Sequence, residues 1–140
     1  MGLLSDFFIA DASPVPKYGG GEGFDDADKC RFKGLTPLQG GQLLALLRGK
    51  KYKVDMVSEF KLVTPEDAED WTMSVPPDFL SALAKLQPNE IPGLAAKFAK
   101  ATAEELGWSA DDFVPIISDL SRLAHRALET GKTMYLWNCL

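Results

Sequence analysis

The chain is poor in the residues on which most catalytic and metal sites depend. It has one histidine and two cysteines among 140 residues. The cysteines, Cys30 and Cys139, are too few for a disulfide framework and too far apart for a zinc knuckle, so we expect two reduced thiols. We expect no metal ion, no cofactor and no dedicated catalytic residue. The composition therefore favours a non-enzymatic role, with enzymatic activity left open.

Long apolar runs are also lacking. No stretch approaches the ~18 uncharged apolar residues that a membrane-spanning helix needs. The apolar residues 1–10 contain Asp6 and include no basic residue, unlike a secretory signal. We predict a cytoplasmic protein that makes no contact with membranes.

The remaining composition is typical of one folded domain, which we predict to span residues 1–140. Hydrophobic residues make up 46% of the chain and charged residues 25%, both ordinary values for globular proteins. The formal net charge is −5, but the charges are segregated along the chain. Residues 29–61 contain eight basic and two acidic residues, whereas residues 1–28 and 62–90 each contain six acidic residues and one basic residue. The simplest interpretation is that the basic middle neutralises its acidic neighbours in the fold.

Residues 12–29 form the least regular part of the sequence. Two prolines disfavour a helix there, and four glycines permit many backbone conformations. The aspartates that follow the glycines repel one another. We predict a flexible Gly/Pro/Asp-rich loop over residues 12–29, preceded by a short strand or helical turn at residues 7–9.

Helix patterns occupy much of the rest of the chain. Thr36 is suited to cap a helix, Pro37 to occupy its first position and Gln39 to complete a capping box, and Gly49 is placed to end it. Apolar residues at helical spacing predict three more helices. These helices begin near Pro77, Asn89 and Ser109 and end before Pro88, at Gly107 and at Gly131. Pro115 is expected to delay or kink the last of them.

Strand patterns complete the predicted fold. Alternating apolar residues predict strands at residues 60–63 and 71–75, which we pair as a hairpin. Residues 133–140 are apolar on both faces, so we place this strand inside the sheet, while residues 50–58 fit either helix or strand. The patterns together predict an α+β fold: a small, mainly antiparallel sheet, including a buried C-terminal strand, packed against about four helices. Three aromatic residues fit either the core or a subunit interface: Trp108, Tyr135 and Trp137.

Two acidic segments are the most distinctive charged features: the first acidic loop, residues 22–28, and the second acidic loop, residues 64–70. Acidic surfaces attract basic partners and accelerate association. We therefore interpret the protein as an interaction or regulatory domain whose partner is another protein, of basic character. The candidate interaction residues are the carboxylates of both loops: Glu22, Asp25, Asp26, Asp28, Glu66, Asp67, Glu69 and Asp70.

Two alternatives stay open. The first is a small-ligand-binding module, or an enzyme, whose site is assembled from dispersed residues around His125, with Cys30, Trp71 and the 25–28 aspartates as further candidates. The second is weak polyanion binding through basic residues beside an aromatic ring. The candidate anion-binding residues are Arg48, Lys50, Lys51 and Lys53. The acidic balance of the whole chain argues against nucleic acid as a partner.

Overall fold

The protein has an α+β fold, as predicted, in which a five-stranded antiparallel sheet packs against four helices. The computed structural model describes residues 3–140, so Met1 and Gly2 of the predicted domain lie outside the described residues. The strands are β1 (Leu4–Ala10), β2 (Lys29–Lys33), β3 (Lys61–Leu62), β4 (Asp70–Ser74) and β5 (Thr133–Cys139). Their order across the sheet is β2-β1-β5-β4-β3.

The last strand in sequence, β5, is the central strand of the sheet. Leu136 points towards the helices, whereas Tyr135 and Trp137 point to the opposite face, and all three are buried. The predicted place of the C-terminal strand inside the sheet is therefore confirmed. The predicted hairpin is also confirmed, because β3 and β4 pair antiparallel, with Lys61 opposite Ser74.

The helices are α1 (Pro37–Arg48), α2 (Pro77–Lys85), α3 (Ile91–Ala101) and α4 (Ala110–Thr130). The capping box of α1 is present as predicted: the Thr36 hydroxyl accepts from the amide of Leu38, and Gln39 Oε1 accepts from the amide of Thr36 at 2.8 Å. α1 ends at Gly49, whose φ of 66° is the left-handed conformation that favours glycine after a helix.

Two helices differ from the prediction. α3 begins after a short 3₁₀ turn at Pro88–Glu90, and it ends at Ala101 instead of continuing to Gly107. At this end the buried hydroxyl of Thr102 donates to the carbonyl of Phe98 at 2.8 Å, a local bond that competes with further helix. α4 begins directly after its Ser109 cap and continues through Pro115, so the helix does not start late, and the alternative of a kink at Pro115 stays a prediction. A proline near the start of a long helix removes a single backbone hydrogen bond.

The helices cover one face of the sheet and enclose the larger core. Its largest fully buried side chains come from both layers: Ile9, Leu44, Phe79, Leu83, Phe98, Phe113, Ile117, Leu120, Leu123, Met134 and Leu136. Trp108 packs at the margin of this core, with its ring 5.4 Å from that of Phe113. Residues 54–59, which fitted either helix or strand, form a 3₁₀ helix.

Residues 11–28 cross the opposite face of the sheet. Tyr18 is buried there, and short 3₁₀ turns form at Gly19–Gly21 and Asp26–Asp28. Lys29, the last residue of the predicted loop, begins β2, a strand that the sequence pattern did not reveal. The flexibility of this segment stays a prediction.

Candidate functional site

The face of the sheet that the helices leave uncovered carries a second, smaller core, which we call the aromatic cluster. Its members are Phe8, Tyr18, Phe24, Tyr135 and Trp137. Phe8, Tyr135 and Trp137 point to the same face because side chains alternate along a strand. Tyr18 stacks on Phe8 with 4.3 Å between ring centroids, and Phe24 meets Phe8 edge-on at 5.3 Å. These contacts anchor residues 11–28 on the sheet.

Asp6 lies beside the aromatic cluster and is 5% exposed. The hydroxyl of Tyr18 donates to its Oδ2 atom at 2.6 Å, and Arg31 Nε lies 3.8 Å from the same oxygen. Burial raises the pKa of Asp6 above its ordinary value, and the hydrogen bond from Tyr18 and the charge of Arg31 offset this only in part. Burial and the same hydrogen bond also raise the pKa of Tyr18.

Asp6 opens onto a depression of about 530 Å³ on this face. The lining residues come from three strands and the glycine-rich turn: Leu4, Asp6, Gly20, Arg31, Phe32, Lys33 and Trp137. Sequence reasoning missed this depression. The available signal was Asp6 itself, an acidic residue inside an otherwise apolar strand, since a buried carboxylate in a concave surface marks a candidate site.

Trp137 lies between the second acidic loop and the glycine-rich turn that precedes the first. Its Nε1 donates to Asp70 Oδ2 at 2.8 Å, and the far end of its indole lies against Gly20. Phe24, from the first acidic loop, belongs to the aromatic cluster. Val63, which precedes the second acidic loop, packs on it. The two loops therefore border the same face of the sheet.

Two of the eight predicted interaction carboxylates are engaged within the fold. Asp70 accepts the bond from Trp137. Asp28 accepts a hydrogen bond from Arg126 Nε at 2.6 Å, and Lys132 Nζ lies 3.5 Å from its other oxygen. Burial raises the pKa of Asp28, but these two bases outweigh it and leave the pKa below its ordinary value. The other six carboxylates are exposed: Glu22, Asp25, Asp26, Glu66, Asp67 and Glu69.

The first acidic loop is held in place by Lys29. The Lys29 ammonium donates to the carbonyls of Gly21 at 3.1 Å and Phe24 at 2.9 Å. It also lies 3.7 Å from the carboxylate of Asp26, which is itself fully exposed. Two main-chain hydrogen bonds and the partly buried ring of Phe24 therefore tie the loop that carries the exposed carboxylates to the sheet.

The predicted anion-binding residues divide into two kinds. The guanidinium of Arg48 donates to both oxygens of Glu59 at 2.7 Å and, through Nε, to Asp78 at 2.6 Å. These hydrogen bonds hold the pKa of Glu59 and of Asp78 below their ordinary values. Arg48 thus joins α1 to α2 and to the 54–59 turn. The other three members of the cluster are exposed: Lys50, Lys51 and Lys53.

His125 lies on the exposed side of α4. Its Nδ1 is 2.8 Å from the carboxylate of Glu129, and Arg122 and Arg126 flank it around a shallow depression of about 420 Å³. Arg122 also donates to Cys30 Sγ at 3.4 Å. Arg122 thus contacts Cys30, Arg126 contacts Asp28, and both arginines line the depression beside His125. His125, Cys30 and Asp28 therefore lie on the same side of the molecule.

These candidates nevertheless form no nucleophile–base pair. Cys30 is buried, and burial raises the pKa of its thiol, so the thiol is protonated at neutral pH and a poor nucleophile. Trp71 lies in β4, separated from β2 by two strands, and packs towards the helix-covered core.

Among residues 3–140, no group of three or more His, Cys, Asp or Glu side chains is arranged to hold a metal ion. In the same part of the chain, none of the helices has the length and apolar character required to cross a bilayer. Comparison of the chain with protein-family models, with curated proteins and with solved structures finds no match in any of the three.

Proposed function

We propose that the protein is a non-enzymatic interaction domain that binds a basic surface of another protein in the cytoplasm through its two acidic loops. The observation that carries this proposal is that both loops border the same sheet face, where Phe24 of the first loop and Val63 ahead of the second pack on the aromatic cluster. The loops lie at opposite ends of this face, because the first leads into Lys29, opposite Phe8, whereas the second leads into Asp70, which is level with Cys139 and Leu4. Acidic groups at both ends of one face steer a basic surface broad enough to span it.

The anchoring of the first acidic loop also supports this proposal. Lys29 and the aromatic cluster fix the loop backbone before any partner arrives. A preorganised surface loses less conformational entropy on binding than a mobile loop does. Because each exposed ion pair contributes only about 0–1 kcal/mol, we expect the carboxylates to act together and mainly on the association rate.

The proposal is tested by capture from a cytosolic extract with tagged protein at low and high salt. Three chains are compared: the unchanged chain, the variant D25N/E66Q/E69Q, and the control variant D55N/E104Q/D111N. Both variants lose three exposed carboxylates, so they match in net charge and differ in location. We expect a stoichiometric basic partner that the unchanged chain and the control capture at low salt only.

Loss of that partner from D25N/E66Q/E69Q alone would support the acidic loops as its binding surface. Equal capture by both variants would place the contact elsewhere. The absence of any stoichiometric partner for the unchanged chain would contradict the proposal as a whole.

A further inference from the structure

The edge of the sheet at β2 presents main-chain groups that no other strand within residues 3–140 covers. The amide of Gly34 donates to the carbonyl of Leu3 at 2.9 Å, which makes this a hydrogen-bonded pair of the β1–β2 ladder. In an antiparallel ladder such pairs alternate with pairs whose N–H and C=O groups point outward. The register of β1 and β2 then directs the main-chain groups of Lys29, Arg31 and Lys33 away from β1.

One end of this edge is already occupied. The guanidinium of Arg122 approaches from outside the sheet and donates to the carbonyls of Ala27 at 2.9 Å and Lys29 at 3.3 Å. This contact agrees with an outward-facing Lys29 carbonyl. The N–H and C=O groups of Arg31 and Lys33 have no such partner among the described residues. The open part of the edge is therefore the C-terminal half of β2.

A depression lies on each side of the open edge. The one on the uncovered face has a volume of about 530 Å³, and the one between β2 and α4 has about 510 Å³; Phe32 lines both. The first is bordered by the two basic side chains of Arg31 and Lys33, which are opposed by one buried carboxylate, that of Asp6, at 3.8 Å from Arg31 Nε. The second presents the apolar surfaces of Phe32, Pro115 and Ile116.

This arrangement matches what an added strand requires. Successive side chains of a strand point to opposite faces, so a strand laid along β2 would direct its side chains into the two depressions in turn. Main-chain hydrogen bonds supply affinity in such complexes, and the flanking pockets supply specificity.

We propose that the β2 edge binds an extended peptide segment of a partner protein, with acidic side chains on one face and apolar side chains on the other. The acidic face is set by the charges of Arg31 and Lys33, and the apolar face by the depression against α4. A second copy of this chain is disfavoured as the occupant, because antiparallel pairing of two β2 strands would bring like charges together.

This site goes beyond the proposed function and has the opposite chemistry. The acidic loops select a basic surface, whereas the β2 edge selects an acidic strand. The two sites use different charged residues, so each is testable without the other.

The test uses a synthetic peptide of alternating glutamate and valine, with two comparison peptides. In one the glutamates are replaced by lysines, and in the other the peptide nitrogens are methylated so that they donate no hydrogen bond. Binding is followed by NMR, together with hydrogen exchange of the amides of the full chain. We expect saturable binding of the glutamate peptide alone, fast exchange of the Arg31 and Lys33 amides in the free protein, and at least tenfold slower exchange in the complex.

Two variants at one position separate main-chain recognition from charge. K33A removes a charge and keeps the outward amide. K33P removes both the charge and the outward amide but no β1–β2 hydrogen bond, and edge strands tolerate proline at such positions. We expect K33A to weaken binding a few-fold and K33P to abolish it, with the amide spectrum of the remaining sheet retained in both. The variant D25N/E66Q/E69Q should bind the peptide like the unchanged chain.

Three results would overturn the proposal: slow exchange of the Arg31 and Lys33 amides in the free protein, equal binding of the methylated peptide, or no saturable binding up to about 1 mM peptide. Formation of a dimer through β2 in place of peptide binding would overturn it as well.

Discussion

At the scale of single residues, the hydrogen bond between Tyr18 and Asp6 links the uncovered face to the pH dependence of stability. The pKa of Asp6 is raised in the folded protein from its ordinary value of 3.8, so the carboxyl ionises more readily in the unfolded chain. The free energy of unfolding therefore falls as the pH rises from below 3.8 through the raised pKa. Tyr18 limits this loss because its hydroxyl donates to the ionised form.

The substitution Y18F is predicted to make this dependence steeper. At about pH 7 the buried Asp6 carboxylate loses its hydrogen bond, which is expected to lower the free energy of unfolding by about 1–3 kcal/mol. Below the ordinary carboxyl pKa, Asp6 is protonated in both states, and the loss should shrink. Urea denaturation at the two pH values measures the difference. Y52F is the matched control, because the Tyr52 hydroxyl makes no hydrogen bond with the described residues; equal losses for Y18F at both pH values would contradict the argument.

At the scale of secondary structure, the sequence was most informative where backbone chemistry is local. The start of α1 depends on three neighbouring residues, Thr36, Pro37 and Gln39, and the structure confirms the predicted capping box. The end of α1 depends on Gly49 alone, which is the predicted stop. In such cases the side chain and the backbone groups that it satisfies lie within a few positions of each other.

Prediction failed where distant contacts determine the local structure. β2 has the sequence Lys-Cys-Arg-Phe-Lys, whose apolar residues are few, and it becomes a strand because β1 pairs with it along its whole length. The long helix expected to reach Gly107 ends at Ala101, where Gln42 from α1 donates to the Ala101 carbonyl at 3.2 Å and to Glu105 at 2.7 Å. Contacts of this kind override local propensity and leave no periodic pattern.

The glycines within helices provide a test of packing against propensity. Gly40 lies inside α1, and a Cβ atom there would lie 2.7 Å from the ring of Phe60, which is buried against Phe79. Gly93 lies inside α3 with open space around it. Alanine is intrinsically preferred to glycine in a helix by about 1 kcal/mol.

We predict opposite effects for the same substitution at these two positions. G40A should lower the free energy of unfolding by about 1–3 kcal/mol, because the overlap with Phe60 exceeds the gain in helix propensity. G93A should raise it by up to about 1 kcal/mol. Thermal and urea denaturation of both variants measure the changes. Stabilisation by G40A would show that the core accommodates the extra methyl group, contrary to the close packing of α1 on the 54–59 turn.

At the scale of the whole molecule, the acidic residues of the candidate site could be predicted from the sequence, but their arrangement in space could not. Carboxylate-rich segments are visible as composition, but their common sheet face depends on contacts of Phe24 and Val63 with an aromatic cluster whose members are far apart in sequence. The aromatic cluster was equally hidden, because Tyr18 and Phe24 are isolated aromatic residues in a Gly/Pro-rich stretch. Because Tyr18 is buried against the sheet, a stretch whose composition resembles a flexible linker forms a second layer on the sheet.

The segregation of charge along the chain is resolved only in part by the fold. Lys29 and Arg31 lie within ion-pair distance of acidic residues from the first segment, Asp26 and Asp6. Arg48 pairs with Asp78 from the later acidic segment. The interpretation that the basic middle neutralises its acidic neighbours holds for these residues. Apart from Asp26, the exposed carboxylates of the two acidic loops and the lysines after α1 form no ion pair with the described residues. This is the charge distribution on which the proposed binding depends.

The central position of β5 makes the integrity of the fold depend on the last residues of the described chain. β1 and β4 each pair with β5, so without it the sheet divides into two separate hairpins, β1–β2 and β3–β4. Removal of β5 also takes Met134 and Leu136 from the larger core and two members of the aromatic cluster from the other face. Isolated two-stranded hairpins are marginally stable in water, and helices packed on them lose most of their buried partner surface.

A chain that stops at Lys132 is therefore predicted to lose cooperative unfolding altogether, whereas a chain that stops at Cys139 should unfold like the 140-residue chain. The control removes only Leu140, which is 81% exposed, and surface changes of this kind alter the free energy of unfolding by about 0.5 kcal/mol or less. Circular dichroism during thermal and urea denaturation distinguishes a sigmoidal transition from a gradual loss of signal.

If the shorter chain kept a sigmoidal transition, the two hairpins and the four helices would have to share a core without β5, and the central role assigned to this strand would be wrong. If both chains lost the transition, the exposed terminal residue would have to contribute far more than its contacts allow. Only the combination of a lost transition in the first chain and a retained one in the second follows from a sheet organised around its last strand.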